Sequence, residues 1–179
     1  MANHRGTRPP SVAAFALCAV TACGGADVVL PPENTAAIAP VGSTFTIAVR
    51  DRCDQSDPIP VTIFLGDRDG QFPWEGSIVG NDGTLGAEEN LEYWVTVNGC
   101  AAARDTSAIA DLDPADGTTV SLYAHAGCSD GDVRMFRVHD GGHTWPGSPL
   151  GGGPNAGLQT NDISASAEMV EFFDAHPLR

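Results

Sequence analysis

Two loops carry the side chains of this sequence that could do acid–base chemistry. In the stretch FRVHDGGHTWPGS, an apolar, strand-like run ends at Asp140-Gly141-Gly142, and His143 follows directly. Glycines after a strand let the backbone turn sharply and present a side chain at the rim of a sheet. A histidine placed there can act as a proton shuttle. A lone histidine in a loop rich in glycine and proline also fits an ordinary surface residue.

An upstream loop supplies the carboxylates that favour the catalytic interpretation. The stretch VTIFLGDRDGQFPWEG starts as a buried-type strand at Val61–Leu65 and continues into a loop with Asp67 and Asp69. The order of strand, acid loop, helix, strand and histidine loop is typical of the second half of an acid–histidine relay on an α/β sheet. We therefore expect a carboxylate and the imidazole of His143 to meet at one rim of the sheet.

Length and composition describe one globular domain with an acidic surface. The 179 residues include nine Lys and Arg and carry a net charge of −14, with 42% hydrophobic and 18% charged residues. This balance is that of a folded domain with a core rather than of a disordered chain. So few cations exclude a nucleic-acid partner and a basic membrane-binding patch. We place the domain at residues 36–179.

The N-terminus resembles an export signal of the bacterial lipoprotein type at residues 1–22, followed by a linker at 23–35. Basic residues precede the apolar run Val12–Ala22, which is too short to span a bilayer as a helix. Small residues then lead to Cys23, the expected site of lipidation. These features predict an extracellular or cell-envelope protein that touches a membrane only through this anchor. Alternatively, the apolar run belongs to the domain itself.

The five cysteines fit an oxidising compartment. Cys100 ends a predicted helix and Cys128 lies at a predicted hairpin tip, so these two are candidates for a disulfide. Cys53 would then need Cys18 or Cys23, and a bond to Cys23 conflicts with its lipidation. No pair has the C-x-x-C spacing of a zinc or redox site, so metal-binding cysteines are not expected.

Hydrophobic patterns predict several strands. Val61–Leu65 is a continuous apolar run of the kind buried on both faces of a parallel sheet. Thr118–His125 and Asp132–Val138 alternate and are predicted to form a hairpin. Of the two apolar runs Ala36–Val41 and Thr44–Val49, we expect one to be a strand.

Two helices and a loop complete the pattern. Glu88–Asn98 has acidic residues in its first turn and apolar residues at i, i+3 and i+4, which predicts a helix. Ser164–Ala175 is the last predicted helix. Its core-facing residues are predicted to be Ala167, Met169, Val170 and Phe173. Ala101–Gly117 is predicted to be a polar loop.

The sequence offers two weak candidates for a nucleophile. The one literal G-x-S-x-G match contains Ser129, but a strand follows it instead of a helix, and it lies after the acid loop rather than before it. Cys23 lies in the right order, but Pro31-Pro32 leave no room for the long helix of a nucleophile elbow. Lipidation or a disulfide fits Cys23 better, and we expect neither residue to be the nucleophile.

From about Ala36 onward, the chain resembles the C-terminal half of extracellular esterases of the polyhydroxybutyrate depolymerase and feruloyl esterase type. The matching motifs are AAIAPV, IFLGDRDGQFPWEG, YWVTVNGC, GCSDGDVRMFRVHDGGHTWPG and EFFDAHP. The resemblance implies a partial α/β-hydrolase fold, namely the C-terminal half of a mostly parallel sheet with flanking helices. It also implies ester cleavage without a cofactor.

Position by position, the resemblance places the family's triad acid on Asp69 and its triad histidine on His143. Asp67 stands where the family has a neutral residue, which makes it the less favoured acid. The family's disulfide falls on Cys100 and Cys128.

The family's first half, with its serine and oxyanion-hole loop, has no counterpart in the motifs. Without them the acid and histidine have nothing to activate, so we expect a truncated or inactive relative of enzymes that cleave polyesters or aryl esters. The alternative is a lipid-anchored, non-catalytic binding module. Trp74 and Trp145 are the candidate substrate-binding residues, with loop packing as the other interpretation of Trp145.

Two acidic sets have oxygen ligands at the short spacing of a calcium-supported loop. They are Asp67, Asp69 and Glu75, and further along Asp111, Asp113 and Asp116. Neither set has the full pattern of a calcium-binding loop, and acidic turns explain both. We therefore expect no metal.

Overall fold

The chain forms a mixed α/β structure in residues 37–52, 57–79, 82–129 and 131–177, which are the parts that the computed structural model describes. The strands are β1 (Val61–Gly66), β2 (Ser77–Val79), β3 (Asp82–Thr84), β4 (Arg104–Ala108), β5 (Thr119–His125) and β6 (Val133–His139). The helices are α1 (Ile47–Arg52), α2 (Ala87–Val97) and α3 (Ala165–Ala175). The main sheet has the order β1-β6-β5-β4, and β2 pairs with β3. The predicted α/β class is confirmed.

The main sheet is mixed rather than mostly parallel. β1 and β6 are parallel, with Val61 opposite Val133, whereas β6 with β5 and β5 with β4 are antiparallel. The prediction of a mostly parallel sheet is therefore wrong for these strands. The cause is connectivity, because short connections join β4 to β5 and β5 to β6, whereas β2, β3, α2, β4 and β5 lie between β1 and β6 in the chain.

Residues 37–42 extend the parallel part of the sheet beyond β1. Ile38 and Val41 make parallel bridges to Val61 and Phe64, and the N–H of Gly42 donates to the carbonyl of Phe64. Of the two N-terminal apolar runs, the first is thus the strand-like one. The second run leads into α1.

Each face of the sheet packs against its own helix. On one face, Ile63 and Met135 are fully buried against Trp94 of α2. On the other face, Phe64 and Phe136 stack with 4.9 Å between ring centroids, in the core that α3 covers. Burying each such side chain stabilises the fold by about 1.5–3 kcal/mol. Because both faces are covered, every residue of β1 is buried.

Helix α3 turns a different face to the sheet from the one that its sequence predicts. Its buried residues are Ala165, Met169 and Phe172. The inward prediction is confirmed for Met169 and wrong for Ala167 and Val170, which are exposed, while Phe173 is half-buried. This short helix carries apolar residues on several of its own sides, so the sequence does not show which side faces the core. The sheet selects the face, since the guanidinium of Arg134 lies 4.8 Å above the ring of Phe172.

Strand β4 lies in the stretch predicted to be a polar loop, so that prediction is wrong there. β4 pairs with β5 at the outer edge of the sheet, and all its residues are exposed. An edge strand without a buried face has no alternating apolar pattern to reveal it. Arg104 ties this edge to the fold, with its guanidinium 4.1 Å from the Tyr123 ring centroid.

A disulfide joins Cys100, just after α2, to Cys128, just before β6, and confirms that prediction. Next to it, the fully buried Asn98 accepts from the N–H of Ile59 and donates to the carbonyls of Ile59 and Gly131. Covalent and polar links therefore fasten α2 to the sheet at the end where β1 and β6 begin.

Several predictions concern the chain outside the described residues. These are the leader at 1–22, the linker at 23–35, the lipidation of Cys23, and the partners of Cys18 and Cys53. Within the described ranges, none of the helices combines the length and apolar character needed to cross a membrane.

Candidate active site

The acid loop and the histidine loop meet at the carboxyl ends of β1 and β6. Because these strands are parallel neighbours, the loops that follow them lie at the same edge of the sheet. Backbone hydrogen bonds join the two loops. The N–H of Asp67 donates to the carbonyl of Val138, and the N–H of Arg68 donates to the carbonyl of Gly141.

Close backbone contacts explain why glycines occupy both loops. A Cβ on Gly66 would lie 2.3 Å from the carbonyl oxygen of Gly141. A Cβ on Gly142 would lie 1.9 Å from the carbonyl oxygen of Ala156. Neither distance is possible for a side chain, so glycine at 66 lets the acid loop approach the histidine loop, and glycine at 142 lets the histidine loop approach Ala156.

Asp69 and His143 are in direct contact. The Nδ1 atom of His143 lies 2.8 Å from Oδ2 of Asp69, whose side chain is 0% exposed, whereas that of His143 is 31% exposed. The other carboxylate oxygen accepts the N–H groups of Gln71 at 2.7 Å and Phe72 at 2.9 Å. With the carboxylate oriented in this way, Oδ2 accepts Nδ1–H, and Nε2 is left as the basic nitrogen.

Two neighbours hold the imidazole of His143 in place. The ring of Phe72 stacks on it with 5.9 Å between centroids and 16° between planes. Gly42 packs at its edge, since a Cβ there would lie 3.0 Å from Nδ1. No described residue forms a hydrogen bond with Nε2 of His143. The nitrogen that could exchange a proton is therefore unpartnered within this part of the chain.

Asp67 contacts other residues than His143. Its Oδ2 accepts from Arg137 at 2.9 and 3.1 Å and lies 3.4 Å from Nδ1 of His139, while its Oδ1 accepts the N–H of Asp140 at 2.7 Å. Arg137 also donates to the Tyr123 hydroxyl at 3.3 Å. Burial lowers the pKa of Arg137, but its bonds to Tyr123 and Asp67 outweigh burial and raise that pKa above its usual value. Asp67 thus faces a permanent cation.

A cleft of about 380 Å³ opens beside the acid loop, and its walls include Asp69, Trp74 and Arg137. The Arg137 guanidinium lies 4.4 Å from the Trp74 ring centroid. Trp145 does not line this cleft, because its indole N–H donates to Ser166 of α3 at 3.1 Å. Of the two tryptophans proposed for substrate binding, the structure brings only Trp74 to the cleft.

Ser129 lies at the far end of β6 from His143. It precedes the strand, whereas the histidine follows it, and seven residues of strand span about 20 Å. The N–H of Ser129 donates to the carbonyl of Asn98, which holds it at the end of α2. No serine, threonine or cysteine among the described residues hydrogen-bonds to His143.

Neither acidic set forms a metal site. Within the described ranges, no group of three or more His, Cys, Asp or Glu side chains could hold a metal ion. Asp116 instead accepts from the N–H and hydroxyl of Thr118 and from the N–H of Asn161. Burial raises the pKa of Asp116, but these hydrogen bonds outweigh it and lower that pKa. This set is an acidic turn.

The sequence patterns did not reveal a second polar cluster on the sheet. Ser121 Oγ lies 2.8 Å from Nε2 of His139, whose Nδ1 faces Asp67. Alternation along β5 and β6 indicates which side chains share a face of the sheet, since residues i and i+2 do so. The cross-strand register that brings Ser121 beside His139 could not be read from that alternation.

No protein-family model matches the chain, and a search of curated proteins finds no match to it. The resemblance to extracellular esterases therefore depends on the motifs alone.

Proposed function

We propose that Asp69 and His143 are the acid and base of a carboxylic ester hydrolase related to the extracellular esterases described above. The observation that carries this proposal is the 2.8 Å contact between His143 Nδ1 and a fully buried carboxylate. The parallel alignment of residues 37–42, β1 and β6 supports the finer proposal of a partial α/β-hydrolase fold, because it brings three loops to one edge.

In this reaction, His143 acts as general base and then as general acid. Nε2 takes the proton of the attacking hydroxyl and passes it to the leaving alcohol, while Asp69 holds the tautomer and stabilises the imidazolium. The nucleophile and the oxyanion-hole donors lie outside the described residues under this proposal. A positioned base of this kind contributes about 10²–10⁴-fold to the rate.

The cleft supports a polyester or aryl-ester substrate. Pro73 and Trp74 give an apolar and aromatic part to a lining whose other residues are charged, and about 380 Å³ lies in the range of small-molecule sites. Asp69 lies in the same lining, so a bound ester would be next to the acid–histidine pair. The disulfide supports an extracellular or cell-envelope location, since such bonds persist in oxidising compartments.

Hydrolysis of p-nitrophenyl butyrate by the purified chain tests the proposal. Any turnover by the chain should fall about 10²–10⁴-fold in His143→Ala. His176→Ala is the matched control, because the described contacts of that histidine are with Phe172 and Asp132 at the end of α3. Turnover that is equal in His143→Ala and the unmodified chain would contradict the proposal.

A non-catalytic binding module, anchored by lipid, is the second candidate. One observation favours it, namely that His143 Nε2 has no hydroxyl or thiol partner in the described part of the chain. In this case a soluble ester oligomer binds without being cleaved, and Trp74→Ala abolishes binding whereas His143→Ala does not. Calorimetry with an oligomer of a hydroxy acid distinguishes the two candidates.

A further inference from the structure

A serine, a histidine and an aspartate are aligned at the polar end of the sheet face that α2 covers. Ser121 Oγ lies 2.8 Å from Nε2 of His139, and Nδ1 of the same ring lies 3.4 Å from Oδ2 of Asp67. A carboxylate at Nδ1 and a hydroxyl at Nε2 is the arrangement of a serine hydrolase triad, which is recognised by geometry and not by sequence order. We propose that these residues form a second catalytic relay, with Ser121 as a nucleophile toward small carboxylic esters.

Three neighbouring strands hold this arrangement. On β5 and β6, Thr119 is paired with His139 and Ser121 with Arg137, so Ser121 lies diagonally beside the histidine on one face. Asp67 follows β1, whose last residue is aligned with Val138. A site carried by paired strands keeps its geometry better than one carried by loops.

The hydrogen-bonding roles are mutually consistent. In the tautomer with the proton on Nδ1 of His139, that N–H faces the Asp67 carboxylate at 3.4 Å, and Nε2 can accept the hydroxyl hydrogen of Ser121. The side chain of His139 is 33% exposed and Ser121 is half-buried, so a small reagent can reach the pair.

Arg137 can stabilise the negative charge that develops on the substrate. It is the cross-strand partner of Ser121, and its bonds to described residues use one N–H each from Nε, Nη1 and Nη2. Two of the five guanidinium N–H donors remain for an oxyanion. Arg137 and Asp67 also line the cleft of about 380 Å³.

The reaction consumes one ester and one water. Ser121 Oγ attacks the acyl carbon while its proton moves to His139 Nε2, and the same proton goes to the alkoxide as the bond to the leaving alcohol breaks. Water then attacks the acyl-Ser121 ester and gives a proton to His139. As the bond between the acyl carbon and Ser121 Oγ breaks, His139 returns that proton to Oγ, and the carboxylic acid is released. This relay shares no residue with the Asp69–His143 pair and does not depend on the function proposed for it.

A fluorophosphonate probe tests the relay, with the modified residue mapped by peptide mass spectrometry on the full chain. We expect an adduct on Ser121 that is absent in Ser121→Ala. In His139→Ala the adduct should form at least about 10²-fold more slowly. Ser107→Ala is the matched control, because Ser107 lies on β4 of the same sheet, opposite Leu122. Its labelling rate should equal that of the unmodified chain.

Labelling of the unmodified folded chain can overturn the proposal by itself, so the test does not depend on any variant being folded. Absence of a Ser121 adduct overturns it, as does an adduct that forms as fast in His139→Ala as in the unmodified chain. An adduct on another residue that depends on His143 would overturn this relay and support the proposed function. Ester turnover that disappears in Ser121→Ala but survives in His143→Ala would support this relay and contradict the other. Circular dichroism checks that each variant is folded.

Discussion

Two carboxylate–histidine pairs lie at one edge of the sheet and are built in opposite ways. Asp69 is fully buried, is held by backbone N–H groups and contacts His143 at 2.8 Å. Asp67 accepts two bonds from Arg137 and lies 3.4 Å from His139. The first pair has the better-placed acid but no described hydroxyl partner, whereas the second has a serine at 2.8 Å and an acid that is shared.

The difference shows how local backbone decides what a carboxylate can do. Asp69 lies in a turn whose N–H groups point at one of its oxygens, which leaves the other for the imidazole. Asp67 comes directly after β1 and meets a guanidinium from the neighbouring strand. A charge-assisted pair with arginine takes up much of the charge that would otherwise stabilise an imidazolium.

Removing the carboxylate of Asp69 should produce the largest difference in activity between the two pairs. In the Ser121→Ala background, Asp69→Asn should lower His143-dependent hydrolysis of p-nitrophenyl butyrate by about 10⁴-fold, because an amide favours the wrong histidine tautomer. Asp105→Asn is the control, since that aspartate is exposed on the edge strand β4. Initial rates give the comparison, and equal rates in the two variants would show that Asp69 does not orient His143.

Removing the disulfide should affect stability and leave both pairs intact. Cys100→Ser with Cys128→Ser opens a link between residues 28 apart, which should lower the free energy of unfolding by about 3.5 kcal/mol on the chain-entropy estimate. The bond lies at the opposite end of β6 from both histidines. Urea unfolding measures the loss, and a change in either activity at full folding would show that this link positions the pairs.

A methyl group at Gly42 should disturb one pair and spare the other. In Gly42→Ala, the new Cβ would lie 3.0 Å from His143 Nδ1 at a backbone φ of 57°, so the ring must move. Misplacement of this kind should lower His143-dependent turnover by about 10²-fold and leave Ser121 labelling unchanged. Gly70→Ala, where a Cβ meets nothing within 4 Å, is the control in the acid loop. Equal losses of His143-dependent turnover and of Ser121 labelling in Gly42→Ala would contradict the view that the two pairs act separately.

The smallest expected effect concerns the arginine that distinguishes the pairs. Arg137→Lys keeps the charge but loses the planar fork that gives Asp67 two bonds and stacks on Trp74. We expect the free energy of unfolding to fall by about 1 kcal/mol, as for the loss of one hydrogen bond. Urea unfolding checks this, and no change would show that the pair adds nothing to stability.

Local patterns were enough to predict part of the fold. The buried run of β1, the hairpin of β5 and β6, and α2 carry periodicities that depend on near neighbours in sequence. β4 and the inward face of α3 could not be predicted this way. All residues of β4 are exposed, and α3 is apolar on several sides, so packing decided both.

The sequence by itself determined that a carboxylate loop and a histidine loop follow two strands, because glycines and apolar runs act locally. Tertiary structure decided which carboxylate meets which histidine. The parallel register of β1 with β6, and the close approach of Gly66 to Gly141, place Asp69 against His143 and turn Asp67 toward Arg137. The meeting of Ser121 with His139 depends on hairpin register, which is a property of paired strands and not of either strand alone.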